Sequence, residues 1–376
     1  LDIAGNSSFG TLELLRSRIA ARKETVLAGQ SLHIIVPTLQ CEHSCQYCQV
    51  SRRLEDVGHS MSPSQIDASC ATIFQSQANA LTIEFQGGDP LLRFDLIQRA
   101  IDLIQKMNLE HKRRIRFVVA STLHQLTSGM CEYFRSNQVY LSTSLDGPAV
   151  LHNKNRPIPS RDSHARTLAG IELARSIMGP QAVAALMTTT KASLAYPEAI
   201  VDEYVKNGFT EIFMRPLSLY GFARRNIKHL GYTLPEFTNF YQKALHRVLE
   251  WNARGTELRE GTAALIFNKL LSPFDAGYVD LQSPTGSGLA VLVYNYDGYV
   301  YPSDEARMLA ETGDGSLRLG SIGDSLAQLM ASPVMRQLIE TSISTQAVGC
   351  ETCAFNSFCG PDPVGAQAEF GDMRTV

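Results

Sequence analysis

Six short apolar runs, each trailed by a segment with helical periodicity, constrain this chain's fold more than any other feature. The runs cover 32–36, 81–85, 116–120, 139–144, 182–187 and 211–214. Helices are predicted over 62–76, 91–106, 123–135, 161–176 and 197–207. Strands that alternate with helices form parallel βα units, because a parallel pair needs a crossover long enough to hold a helix. Right-handed crossovers close such units into a barrel or part of one. The expected fold class is α/β, with a partial (β/α)6 barrel over residues 32–231. With 376 residues, 44% of them hydrophobic, the chain has enough apolar surface for a barrel and a smaller second domain.

The residues at the strand ends decide what such a barrel does. Cys41, Cys45 and Cys48 follow the first strand, and Gln86-Gly-Gly-Asp-Pro90 follows the second. Ser121 and Thr122 follow the third strand, Ser144 and Asp146 the fourth, and Thr188 to Thr190 the fifth, while Arg215 closes the sixth. Parallel α/β barrels place their active sites at the C-terminal ends of the strands. Polar residues end many strands, so each item alone is weak, but six together mark one rim.

The cysteines are spaced by three residues, then two. A compact loop with that spacing aims three thiolates at one point and supplies no fourth. Structural zinc takes four ligands, usually as two separated pairs. Three thiolates on one loop suit a four-iron cluster whose remaining iron is open to a substrate or cofactor. The competing readings are three reduced thiols and a zinc site completed by His43 or a distant ligand. Gly87 and Gly88 allow close approach of backbone to a ligand, or form an ordinary strand-to-helix turn.

Composition excludes several classes. The net charge is −3 and no basic stripe marks a groove for nucleic acid. No apolar run nears the ~20 residues of a membrane span, and no signal peptide opens the chain. Six of the eight cysteines fall in two tight groups rather than being spread as a secreted disulfide framework. The expected location is the cytoplasm. Cys70 and Cys131 lie within predicted helices and read as core residues. Both chain ends, Leu1 and Val376, read as trimmed.

Beyond 231 the pattern changes. Helices are predicted over 232–251, 262–271 and 324–341, and a hairpin over 290–302 around Asp297-Gly298. A second cysteine group follows, Cys350, Cys353 and Cys359. The expected organisation is an N-terminal segment over 1–31, the barrel over 32–231, a helical bridging region over 232–288 and a small domain over 289–376.

The cysteine triplet after strand one and the Gly-Gly-acid-Pro motif after strand two resemble the radical S-adenosylmethionine (SAM) superfamily. The resemblance implies a [4Fe–4S] cluster on Cys41, Cys45 and Cys48, with SAM chelated at the open iron. One electron then cleaves SAM to methionine and a 5′-deoxyadenosyl radical, which takes a hydrogen atom from the substrate. It also implies that Gly87, Gly88, Asp89 and Pro90 bind the methionine amino group and that Tyr47 lies by the adenine. Ser144 is expected near the ribose or carboxylate, and Arg215 near the methionine carboxylate or in a rim salt bridge.

Cys350, Cys353 and Cys359 resemble the SPASM extension, which adds auxiliary iron–sulfur clusters to peptide-modifying radical SAM enzymes; the alternative is a zinc knuckle. The extension's usual cysteine after Val300-Tyr-Pro302 is Ser303 here, and the one four residues past Cys359 is Pro363. Loss of both implies loss of the first auxiliary cluster and retention of the second, its fourth ligand being expected in a missing tail. One auxiliary [4Fe–4S] cluster is therefore expected in a SPASM-like C-terminal domain.

Further segments resemble the His-Xaa-Ser system radical SAM maturases, relatives of enzymes that form three-residue cyclophanes in ribosomal peptides. They are 142–148, 152–157, 185–190, 215–223 and 299–307, and Thr122 departs from that group's usual Asn. The implied reaction joins an aromatic ring carbon to the Cβ of a residue two positions later. A base must accept the ring proton, and Asp280, Asp304 and Glu305 are the candidates, unless Asp304, Glu305 and Arg307 form a structural salt-bridge cluster. The implied partners are a precursor peptide with its leader, a reductant such as flavodoxin or ferredoxin, and a possible separate leader-recognition protein. The last follows because about thirty residues precede strand one, too few for an independent core. Other SPASM reactions (epimerisation, thioether formation, sulfatase-type oxidation) and a non-catalytic iron–sulfur sensor are the competing functions.

Overall fold

The computed structural model describes residues 28–272, 282–347 and 349–375, with residues 13, 16, 17, 20 and 21 of the preceding segment. Six βα units open the chain. Their strands are β1 (Leu32–Thr38), β2 (Ala80–Gly87), β3 (Arg114–Ala120), β4 (Val139–Ser144), β5 (Val183–Thr188) and a sixth split into β6 (Glu211–Ile212) and β7 (Met214–Arg215). Between them run α1 (Pro63–Ile73), α2 (Phe94–His111), α3 (Ser128–Ser136), α4 (Ala149–Asn155), α5 (Ser163–Met178) and α6 (Pro197–Lys206). Start signals fix several of these helices. Ser62 and Gln65 close a capping box ahead of α1, with Pro63 in its first turn, and the Thr127 side chain caps α3.

The chain continues through α7 (Gly221–Arg225), α8 (Ile227–Leu230), α9 (Leu234–Ala253), β8 (Arg259–Glu260) and α10 (Gly261–Leu271). After the next described residues come β9 (Val291–Tyr294), β10 (Tyr299–Tyr301), α11 (Asp304–Ala310), β11 (Gly320–Ser321), α12 (Leu326–Met330), α13 (Pro333–Thr341) and α14 (Pro363–Phe370).

One nine-stranded sheet runs in the order β11-β10-β9-β1-β2-β3-β4-β5-β7. From β9 to β7 every neighbouring pair is parallel, as the alternating pattern predicts. Alternation along the strands sets the two faces. Ile35, Ile83, Phe85, Phe117, Val119, Leu141 and Met187 point outward into a core shared with Ile66, Ile97, Ile101, Phe134, Ile171 and Ile200 of the helices. Inward, Ile34 and Val36 join Val291 and Val293 in a second core with Tyr301, Ala306, Leu309, Leu338 and Val364. The C-terminal helices thus cover the open side of the partial barrel.

Three sequence expectations change. The hairpin expected to open a separate domain at 289 is hydrogen-bonded to β1 in register Leu32↔Val291 to Ile35↔Tyr294, so it widens the barrel sheet. The run 211–214 is not one strand. It breaks at Phe213, where β6 leaves to pair with β8 and β7 alone joins β5. The helix expected over 123–135 starts only at Ser128, since Leu123 has φ of 64°, outside helical geometry.

Candidate active site

The C-terminal ends of the parallel strands enclose a cavity of about 250 Å³. Cys41, Cys45 and Cys48 line it, with Tyr47, Gly87, Gly88, Ser144 and Arg215. Asp304 and Met308 reach it from the first turns of α11. The strand-end rim read from sequence is therefore one site.

The cysteine loop is clamped from several sides. Cys41 N–H donates to Arg53 O at 2.9 Å, Ser44 N–H to Pro157 O at 2.9 Å, and Phe222 N–H to Cys48 O at 2.8 Å. Cys41 and Cys45 are buried, Cys48 is half-buried, and none of the three is in a disulfide. Burial pushes the Cys45 thiol up to about 12 and Cys41 well above its usual value. Thiolates in this pocket need a cationic partner, which bound iron supplies. A four-iron cluster takes one thiolate on each of three irons, and the three free thiols of this loop would suit it.

The Gly-Gly turn grips the cysteine loop itself. Gly88 N–H donates to Thr38 O at 2.9 Å and Asp89 N–H to Gln40 O at 2.7 Å. A Cβ on Gly88 would lie 2.2 Å from the carbonyl oxygens of both Leu39 and Gln40, and one on Gly87 would lie 2.1 Å from Thr38 O. These glycines permit backbone-to-backbone contact at the loop's entrance. Asp89 and Pro90 are buried beneath the cavity rather than lining it. The Asp89 carboxylate accepts from Ser121 Oγ at 2.7 Å, Thr122 Oγ1 at 2.5 Å and Leu91 N–H at 3.2 Å. It ties the end of β2 to the end of β3, and Thr122 serves that link while also lining the cavity.

Tyr47 has its hydroxyl engaged. It donates to Asp146 Oδ2 at 2.6 Å, and the Arg156 guanidinium lies 5.2 Å from the ring centroid. Arg156 Nε also meets Asp146 Oδ2 at 3.3 Å. Asp146 is fully buried and accepts from Thr188 N–H, so one carboxylate joins β4, β5 and the cysteine loop. His152 Nδ1 accepts from Asp146 N–H, and Asn153 Oδ1 accepts from Ser163 Oγ and His164 N–H, the loop-fixing roles their sequence position suggests.

Sequence reasoning missed Arg156, Glu84 and Gln86, which also line the cavity. Glu84 Oε1 accepts from Gln86 Nε2 at 2.9 Å. Burial raises its pKa, against that hydrogen bond, and the nearby Asp304 charge adds to the rise. A carboxylate at an inward position of an otherwise apolar strand was the available signal. Arg215 lines the cavity.

Of the two candidate bases among the described residues, Asp304 lines this cavity. Arg307 Nε donates to Asp304 Oδ1 at 2.6 Å, so the salt bridge expected between them forms and holds the carboxylate at the wall. Glu305, next in sequence, lines a neighbouring cavity. Asp280 lies outside the described residues.

Cys350 is half-buried, Cys353 and Cys359 are exposed, and none of them lines the first cavity. Asn356 shapes their turn, donating to Cys350 O at 2.6 Å and to Ser344 O at 3.1 Å. Ser303 and Pro363 have helix-start roles. Ser303 Oγ accepts from Ala306 N–H and caps α11, while Pro363 opens α14.

Comparison with known proteins agrees with this geometry. Residues 35–208 match the Radical SAM superfamily. An uncharacterized protein of Synechocystis is 22% identical over 343 residues, covering 88% of this chain and 82% of its own length. An uncharacterized protein of Archaeoglobus fulgidus is also 22% identical, over 90% of this chain and 76% of its own. Among solved structures, anSMEcpe with bound AdoMet and Cp18Cys peptide superposes with a TM-score of 0.73 at 18% identity over 88% of both chains. Streptococcus suis SuiB bound to precursor peptide SuiA gives 0.65 at 13% identity, over 98% of this chain and 80% of that one. The match to the Radical SAM superfamily spans residues 35–208, and the rest of the described chain completes the same sheet and covers its open side.

Proposed function

We propose that the protein is a radical SAM enzyme that crosslinks a ribosomally made precursor peptide, joining an aromatic ring carbon to a nearby Cβ. The observation that carries the reading is the gathering of Cys41, Cys45, Cys48, Ser144, Arg215 and Asp304 around one cavity. When bound, a [4Fe–4S] cluster with SAM supplies the 5′-deoxyadenosyl radical. Arg215 and Ser144 hold the carboxylate and ribose of SAM, and the Gly87-Gly88 backbone fixes the loop against which its amino group rests. Tyr47, with its hydroxyl engaged by Asp146, presents its ring to the adenine. That anSMEcpe and SuiB, which share this fold, were solved with bound peptides supports a peptide substrate.

A crosslink removes two hydrogen atoms from the peptide. One leaves Cβ as an atom, and the other leaves the ring as a proton and an electron. Asp304, held by Arg307 at the cavity wall, accepts the proton. We assign Cys350, Cys353 and Cys359 to an auxiliary cluster, which would accept the electron. Anaerobic reconstitution with dithionite and SAM should yield 5′-deoxyadenosine. A precursor co-expressed with the enzyme should lose two hydrogens per event by mass spectrometry. Absence of 5′-deoxyadenosine sinks the radical reading, and an unchanged peptide mass where 5′-deoxyadenosine does form points to epimerisation.

A further inference from the structure

A second cavity, of about 440 Å³, lies across Arg215 from the first. The partition between the two is thin. Arg215 lines both cavities, and consecutive residues of α11 divide between them, Asp304 facing the first and Glu305 the second. The outer cavity has apolar and aromatic walls in Phe213, Leu217, Tyr220, Leu265, Ile266 and Val364, and polar groups line it as well, among them Ser218, Thr262, Thr285, Ser287, Glu305 and Asp362. Its size falls within the range of ligand pockets, about 300–1,000 Å³.

The break between β6 and β7 builds one wall. Phe213 sits at the break, and its ring packs where a Cβ on Gly261 would lie 2.3 Å from Cδ2. Gly261 therefore lets α10 start directly against that ring. The helix then gives the cavity Leu265 and Ile266, the latter 46% exposed. An aromatic side chain gains both burial and ring contacts against these walls.

We propose that this outer cavity receives an aromatic side chain of the substrate peptide other than the ring that reacts, with the backbone crossing Arg215 so that the reacting residues enter the first cavity. The inference rests on the peptide-modifying reading and adds to it a specificity pocket. The occupant follows from the shared Arg215 and α11 walls that join this cavity to the first, from the rings of Phe213 and Tyr220 in its lining, and from the polar groups beside them, which suit a passing peptide backbone.

The test uses the full chain, with N-acetyl-phenylalanine amide and N-acetyl-alanine amide as probes in ligand-observed NMR. The phenylalanine amide should bind wild-type protein and the alanine amide should not. Leu265→Trp and Thr262→Phe, which fill the cavity from α10, should each weaken binding at least tenfold while retaining wild-type circular dichroism and melting temperature. Equal binding of the two amides to wild type, or undiminished binding in both folded variants, overturns the pocket. SAM cleavage is measured separately on the wild-type enzyme. Its failure refutes the radical reading, while selective amide binding would still establish the cavity.

Discussion

Gly88 has no space for a side chain, and its consequence is chemical. Gly88→Ala puts a methyl group within 2.2 Å of two carbonyl oxygens of the cysteine loop, so the loop must move. Iron and sulfide incorporated on reconstitution should fall severalfold while far-UV circular dichroism stays near wild type. Asp304→Asn keeps the shape of the cavity wall but removes the proposed proton acceptor. Peptide product per 5′-deoxyadenosine should drop about a hundredfold, measured by mass spectrometry against nucleoside yield. Cysteine spacing and the Gly-Gly turn are legible in sequence because each lies within a few residues. Asp146 and Arg156 are not, since their roles come from contacts with Tyr47 and Thr188 on other elements. Nor could sequence separate Asp304 from Glu305, because only the helical turn after Ser303 sends them to different cavities.

Elements were legible where periodicity was long and capped, and less so where pairing decides. The six strand positions follow from apolar runs, yet the split at Phe213 depends on β8, a partner about fifty residues away. The hairpin was plain from Asp297-Gly298, but its docking on β1 was not, because a strand's pattern does not name its neighbour. At that joint His33 is fully buried, its Nε2 3.2 Å from Gln30 O and its Nδ1 3.3 Å from the Tyr294 hydroxyl, with Arg113 the charged group that also bears on it. Burial lowers its pKa from 6.5 to about 4. Below pH 6.5 the unfolded chain takes a proton that the folded one refuses, so stability falls with pH and levels off below about 4. The loss at pH 5 is about 2 kcal/mol for this residue. Urea midpoints at pH 7 and pH 5 should therefore differ less in His33→Gln than in wild type.

At the scale of the whole molecule, the candidate active site and its cover share one sheet. Residues 35–208 match the superfamily, but β9 pairs with β1 and the C-terminal helices fill the inner face. A chain ending at residue 272 should expose the β1 edge and the apolar face of Ile34 and Val36, and aggregate on size-exclusion chromatography. A monomer with native circular dichroism would refute that dependence. The two cysteine groups separate at this scale as well. Full reconstitution should give about eight irons per chain, and Cys353→Ala about four, with SAM cleavage retained.

The strand order also sets a timetable. β1, which leads into the cysteine loop, leaves the ribosome well before its neighbour β9, which follows some 260 residues later, as the register Leu32↔Val291 shows. Closing so long a separation is slow, and at synthesis rates of about 5–20 residues per second β1 lacks that neighbour for many seconds. Iron delivered during translation would meet a site without the wall that Asp304 and Met308 supply. Delivery to the released, fully paired chain is the order this topology favours, and a pulse-chase with labelled iron should find it on complete chains and absent from ribosome-bound ones.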